Sequence, residues 1–170
     1  MNVYLMSKCP DAARAMRDLS AVYYDNSKVL DLRFDYIGEL NNKTKYGCFG
    51  NIQHLCVQKK AGTDKALEFM LCQQRNINRI GTYIQLAECL NNSSYWIPSV
   101  RCAFGEEGKL LLQNSVQESK KKEIKASLTF SLNGTQRCVF DSNHWVEPED
   151  GCPGGGGVPL FTKSILELTK

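Results

Sequence analysis

Eight cysteines spread along 170 residues constrain this chain more than any other feature. They stand at Cys9, Cys48, Cys56, Cys72, Cys89, Cys102, Cys138 and Cys152. No two have the tight Cys-x2-Cys spacing of a zinc ribbon or finger, and so wide a spread suits disulfides that tie distant segments together. Four Asn-x-Ser/Thr sequons accompany them, at Asn42, Asn91, Asn92 and Asn133, two of which overlap. One sequon alone means little. Set beside eight scattered cysteines, they predict a chain made in the secretory pathway and bound for secretion or an endolysosomal compartment. Met1 to Leu5 run straight into polar sequence rather than into a signal peptide, so the expectation is a mature chain whose targeting segment has been removed.

Composition narrows the class further. With 42% apolar and 23% charged residues the chain reads as ordinary globular protein, and its length suits a single domain over residues 1–170. A net charge of +3 with no large basic patch argues against a nucleic-acid partner. The apolar runs are a few residues long, far short of the roughly 20 needed to span a bilayer.

Periodicity predicts an interrupted α/β order. Asn2 to Met6 alternates as a strand, and Pro10 suits the first position of a helix. From Asp11 to Tyr24, residues Ala12, Ala13, Met16, Leu19, Ala21 and Tyr23 share a helical face. Val29 to Ile37 alternates as a second strand. Between about 46 and 122 the pattern is helical and holds five of the eight cysteines. Four segments mark it: Ile52 with Leu55 and Cys56; Ala66 to Met70; Tyr83 to Leu90; and Leu111 with Leu112 and Val116. Strand character returns at Ser127 to Leu132, Asn133-Gly134 signals a hairpin, and Thr135 to Phe140 is the returning strand. Phe161, Ile165 and Leu168 mark a last helix after Pro159. The order is βαβ over 1–45, a helical block, then a hairpin and helix over 123–170. Lys120 to Lys122 reads as a solvated helix end, and Gly154 to Gly157 as a flexible connector.

Cys9 is the candidate nucleophile. At the junction of a first strand and a first helix, the open N–H groups and dipole of the helix stabilise a thiolate. Dithiol oxidoreductases place a second cysteine three positions later to attack the mixed disulfide, and here that position is Ala12. Disulfide chemistry at Cys9 would therefore need an external thiol. The competing expectation is that Cys9 pairs with another cysteine.

Several motifs are similar to those of the gamma-interferon-inducible lysosomal thiol reductase (GILT) family, with its fungal-type members nearest. They are Met6-Ser7-Lys8-Cys9-Pro10-Asp11, Tyr36-Ile37-Gly38, Cys48-Phe49-Gly50-Asn51-Ile52-Gln53-His54-Leu55-Cys56, Phe69-x-x-Cys72-Gln73, Cys89, Cys102, and Leu132-Asn133-Gly134 before Cys138. The resemblance implies an α/β thioredoxin-like fold with a disulfide-bearing helical insertion between its βαβ and ββα halves. It also implies reduction of substrate disulfides, often at acid pH, through a Cys-x-x-Cys pair at the places of Cys9 and Ala12. Of the family signature Cys-Gln-His-Gly-x-x-Glu-Cys-x-x-Asn-x-x-x-x-Cys, Cys48, Asn51 and Cys56 are present. The first half falls on Asn41-Asn42-Lys43-Thr44, and the Glu place is Gly47. Thioredoxin folds also carry a cis-proline entering the third strand, whereas Ser127-Leu128-Thr129 has none.

Cys138 and Cys152 are expected to pair. Cys48, Cys56, Cys72, Cys89 and Cys102 leave an odd thiol in the helical block, which predicts three bridges and two remaining thiols. A metal reading would use Cys48, His54 and Cys56, or Cys138, His144 and Cys152; disulfides are preferred in an oxidising compartment, and no metal or cofactor is expected. His54 on a helix and His144 in a loop read as structural. Two functions follow. One is a monothiol reductase homologue acting at Cys9 on a disulfide-containing protein with a small thiol such as glutathione, weak or inactive as a dithiol reductase. The other is a catalytically inactive secreted thioredoxin-fold binding or effector module. A remaining thiol would also permit a homodimer.

Overall fold

The computed structural model describes residues 1–28, 30–38, 45–91, 93–132, 136–142 and 144–146. Its elements are β1 (Asn2–Leu5), α1 (Pro10–Asn26), β2 (Arg33–Tyr36), α2 (Lys45–Ala61), α3 (Thr63–Gln73), a 3-10 segment (Gln74–Arg79), α4 (Tyr83–Leu90), α5 (Trp96–Phe104), α6 (Glu106–Lys121), β3 (Thr129–Leu132), β4 (Gln136–Asp141) and β5 (His144–Val146). The strands form one mixed sheet in the order β2-β1-β3-β4-β5. Only β1 and β2 are parallel; the other neighbours are antiparallel.

Strand β1 lies inside the sheet, between β2 and β3. Val3, Tyr4 and Leu5 are all buried, and because successive side chains point to opposite faces, both faces of β1 are covered. Its length also limits its partner. Asn2 to Leu5 pair with Arg33 to Tyr36, so the strand expected over 29–37 shortens to four residues, although Leu30 and Leu32 stay buried beside it. Edge strand β2 is capped by α6 rather than left open. Tyr36 N–H donates to Ser115 Oγ at 2.7 Å, and Ser119 Oγ–H donates to Tyr36 C=O at 3.0 Å.

Helix α5, strand β5 and the 3-10 segment escaped sequence reading. Helix α5 carries Pro98 at its third position, where a helix needs no backbone donor, but proline inside a short apolar run hides the periodicity. His144, expected in a loop, lies in β5, which pairs with β4 after a turn at Ser142. The run His144-Trp145-Val146 is rich in β-formers but too short to announce itself. Asn133-Gly134, the expected helix over 161–168 and Gly154 to Gly157 lie outside the described residues.

The helical block is fastened by two disulfides. Cys56–Cys102 ties α2 to α5, and Cys72–Cys89 ties α3 to α4, each with Cα atoms 5.7 Å apart. By the loop-closure argument each contributes about 3–4 kcal/mol. Gly108 of α6 lies against the first bridge, where a Cβ would stand 2.6 Å from both the Cys102 carbonyl and Ile52 Cγ2.

A polar chain runs through the same block. Tyr36 O–H donates to His54 Nδ1 at 2.7 Å, and His54 Nε2 meets Gln73 Oε1 at 2.7 Å. Gln73 Nε2 donates to Gln53 Oε1 at 2.8 Å, and Gln53 Nε2 donates to the Thr82 carbonyl at 3.3 Å. Because Gln73 spends its amide on Gln53, its oxygen must accept from His54, which fixes the imidazole as the neutral Nε2–H tautomer. Burial pushes the His54 pKa down to about 4, against a smaller opposing effect of the Gln73 hydrogen bond. A histidine lowered from its usual 6.5 stabilises the fold fully above pH 6.5 and loses that contribution as pH falls toward 4. The loss amounts to about 3 kcal/mol. Urea unfolding of wild type and His54→Gln at pH 7 and pH 4 should show wild type losing about 3 kcal/mol more than the variant. Parallel losses in the two proteins would refute the assignment.

Candidate active site around Cys9

Cys9 is the N-cap of α1, with extended backbone (φ −80°, ψ 122°) and Pro10 at the first helical position. The chain reaches it through a tight turn after β1 in which Cys9 N–H donates to the Met6 carbonyl at 3.0 Å. The Cys9 carbonyl then accepts from Ala13 N–H at 3.0 Å, starting the helix. Its side chain makes no capping bond. Instead the half-buried Sγ–H points to the Ser127 carbonyl at 3.6 Å. Ser127 also accepts at Oγ from Met6 N–H at 2.9 Å, so the segment entering β3 clasps the turn on both sides of Ser7 and Lys8. The Ser127–Leu128 peptide is cis, although no proline stands there.

The other wall comes from α2. Ser7 N–H, buried, donates to Asn51 Oδ1 at 2.9 Å. One residue earlier Gly50 packs so closely that a Cβ there would sit 2.5 Å from Ser7 Oγ and 2.5 Å from Ile80 Cγ2. Ala12, in the resolving position, is buried in the main core with Ala15 and Met16. The site therefore offers one half-buried thiol, held by β3 on one side and α2 on the other, with no second sulfur one turn along.

The remaining cysteines sort by position. Cys9 and Cys48 are both half-buried thiols; Cys48 stands in the first turns of α2. Cys56, Cys102, Cys72 and Cys89 form the two bridges of the helical block. Cys138 is disulfide-bonded, and Cys152 lies outside the described residues. The ligand set Cys48, His54 and Cys56 is dissolved by geometry, since Cys56 is bridged to Cys102 and both His54 nitrogens are hydrogen-bonded. Of the sequons, Asn91 is exposed at the C-cap of α4, and Asn42, Asn92 and Asn133 lie outside the described residues. Asn51 and Gly50 were visible in sequence only as members of a motif. Their role in holding Ser7 needed the fold. A cleft of about 420 Å³ lies elsewhere, between β2, α2 and α6, lined by Asp31, Arg33, Asp35, Gln58 and Glu118 among others.

A family model, gamma interferon inducible lysosomal thiol reductase (GILT), matches residues 1–93, which carry both the Cys9 turn and the Asn51 contact. The chain belongs to the GILT family. A search of curated proteins found no match. The matched stretch includes Cys9, Ala12, Cys48, Asn51 and Cys56, whereas Ser127 lies beyond it. Among the described residues no helix is long and apolar enough to cross a membrane.

The Asn51 contact can be tested directly. Asn51→Ala leaves the buried Ser7 N–H without its acceptor, at a cost of about 1–3 kcal/mol. It should also slow the reaction of Cys9 with glutathione disulfide, because the turn that aims the thiol is released. Denaturant unfolding together with the rate of adduct formation checks both effects. A variant with wild-type stability would refute the role given to Asn51.

Proposed function

We propose that this chain is a monothiol member of the GILT family with a thioredoxin-like fold, in which Cys9 attacks an accessible disulfide of a protein substrate. The observation that carries the reading is the position of Cys9. It caps α1 at the end of β1, half-buried, its sulfur against the Ser127 carbonyl and its turn held by Asn51. The order βαβ, helical block and antiparallel hairpin supports the fold reading, with residues 1–170 as one domain and the helical block as its insertion.

The chemistry runs in three displacements. The Cys9 thiolate attacks one sulfur of the substrate disulfide, forming a mixed disulfide and releasing the other substrate sulfur as a thiol. In a Cys-x-x-Cys enzyme the second cysteine would complete the exchange. Ala12 cannot, so a small thiol such as glutathione attacks the Cys9 sulfur of the mixed disulfide, releasing the remaining substrate thiol and leaving glutathione on Cys9; a second glutathione then attacks that adduct and frees the Cys9 thiol. Glutathione disulfide is the net oxidised product. Secretory passage and an endolysosomal destination fit the bridges of the helical block and the family, and the exposed Asn91 is a candidate glycosylation site.

An insulin-reduction assay under excess glutathione, at acid and neutral pH, tests the reading. Wild type should accumulate a reducible adduct that Cys9→Ser lacks, with slow turnover. Ala12→Cys should raise turnover by about tenfold or more, because the second displacement becomes intramolecular. Absence of adduct and turnover in wild type and Ala12→Cys alike would overturn the enzyme reading and leave the catalytically inactive binding module.

A further inference from the structure

The cleft between β2, α2 and α6 is separate from the Cys9 turn. It holds about 420 Å³, a volume in the range of small-molecule sites. Gln58 lines it, two turns and about 10 Å further along α2 than Asn51, which holds the Cys9 turn.

One wall of the cleft is the outer edge of β2, and a single residue of that edge is open. Arg33 N–H donates to the Met1 carbonyl at 2.9 Å and Ile37 N–H to the Leu5 carbonyl at 3.0 Å. Odd-numbered residues of β2 therefore turn their backbone groups to β1, and even-numbered ones turn theirs outward. On the outer edge the Leu32 carbonyl accepts from Thr63 Oγ1–H at 3.0 Å, and Tyr36 is closed by Ser115 and Ser119. Between them, neither the N–H nor the C=O of Phe34 is paired among the described residues. An added strand would run into Thr63 at one end and Ser115 at the other, so the opening suits a small molecule rather than an extended peptide.

Acceptors dominate the lining. The Asp35 side chain is only 7% exposed, and its Oδ1 accepts from Ser115 Oγ–H at 2.9 Å. Its Oδ2 faces Arg33 Nε at 3.9 Å, too far for a hydrogen bond. Gln58 Oε1, sealed from solvent, has no donor either. Buried acceptors in this state are costly, and a donor entering the cleft would complete them. Asp31 and Glu118 join Asp35 to set three carboxylates against the two cations Arg33 and Lys59. Among the described residues no three His, Cys, Asp or Glu side chains come together as a metal site, so N–H donors suit these acceptors better than a metal ion does.

We propose that this cleft binds a small organic cation, a primary ammonium or guanidinium whose N–H groups donate to Asp35 Oδ2 and the Phe34 carbonyl. A short alkyl chain on the cation would pack on Leu55 and Leu111, which also line the cleft. The proposal is independent of the reading of Cys9, because no sulfur takes part.

The test is a two-dimensional NMR titration of the isotope-labelled full chain with pentylammonium, butylguanidinium, tetramethylammonium and pentanol. The first two should shift the amide signals of Phe34, Asp35 and Ser115 saturably. Tetramethylammonium, which has no N–H donor, and pentanol, which has no charge, should each bind about tenfold more weakly or worse. Asp35→Asn should weaken pentylammonium binding by about tenfold or more. Asn114→Trp changes an exposed residue of the cleft wall, leaves the core alone and fills the opening, so it should abolish binding. It also decides the matter if Asp35→Asn fails to fold. Absence of saturable shifts, equal affinity for all four probes, or full affinity in either folded variant overturns the proposal.

A blocked pentapeptide with one central lysine separates the two sources of the cation. Saturation by the peptide, with the same three amides shifting, would assign the cleft to a side chain of a polypeptide. Saturation by pentylammonium alone would assign it to a free amine. Both outcomes support a cation site at Asp35.

Discussion

The hydrogen bond from Ser7 N–H to Asn51 Oδ1 joins the two parts of this protein at the turn that carries Cys9. Ser7 belongs to the turn that ends β1 and aims Cys9, whereas Asn51 belongs to the helical block. Without the bond a buried donor would go unpaired, so the first turns of α2 are held to the Cys9 turn by an energetic penalty of about 1–3 kcal/mol rather than by shape alone. Gly50 permits the approach, since any side chain would strike Ser7 and Ile80. Further along α2, Gln53 and His54 enter the polar chain and Cys56 the bridge to α5. One helix thus sends successive residues to the Cys9 turn, to the buried network and to the disulfide clamp.

Much of this organisation was legible because it rests on local chemistry. Alternation in Asn2–Leu5, the Pro10 start signal and the apolar faces of α1, α2, α3, α4 and α6 follow from spacing alone. The βαβ, helical and hairpin order follows with them. Helix α5 was not legible, because Pro98 interrupts its pattern and only the Cys56–Cys102 bridge and its contacts with α2 and α6 show what stabilises it. The shortened β2 depended on the four-residue length of β1, a property of the partner and not of the segment itself. At the site, Cys9 and Ala12 were readable from position. The roles of Ser127, Asn51 and Gly50 were not, since each acts across a sequence separation of more than forty residues.

The buried histidine illustrates the same limit. His54 stands in the Cys48-to-Cys56 motif, which says nothing of whether it titrates. The structure places it between Tyr36 and Gln73 with both nitrogens bonded, inside a core that disfavours its charge. A pKa of about 4 keeps the imidazole largely neutral down to moderately acid conditions, so the network persists there while exposed histidines would be protonated. The unfolded chain still gains its proton near pH 6.5, and that difference makes the block sensitive to acid.

Structure and chemistry are separable at the helix that carries Cys9. Ala12 is buried in the core, in a residue type with the highest helix propensity, so the fold gains a well-packed position where a dithiol enzyme would hold a reactive one. Cys9 is the reverse case: it makes no side-chain capping bond and only a long contact to Ser127. Serine or asparagine caps a helix better than cysteine does, and their absence at position 9 leaves the helix start less stable than it could be. On the proposed reading, the sulfur at this capping position serves reactivity, whereas Ala12 is accounted for by packing. The start of α1 therefore meets two different demands, packing at Ala12 and, on the proposed reading, reactivity at Cys9.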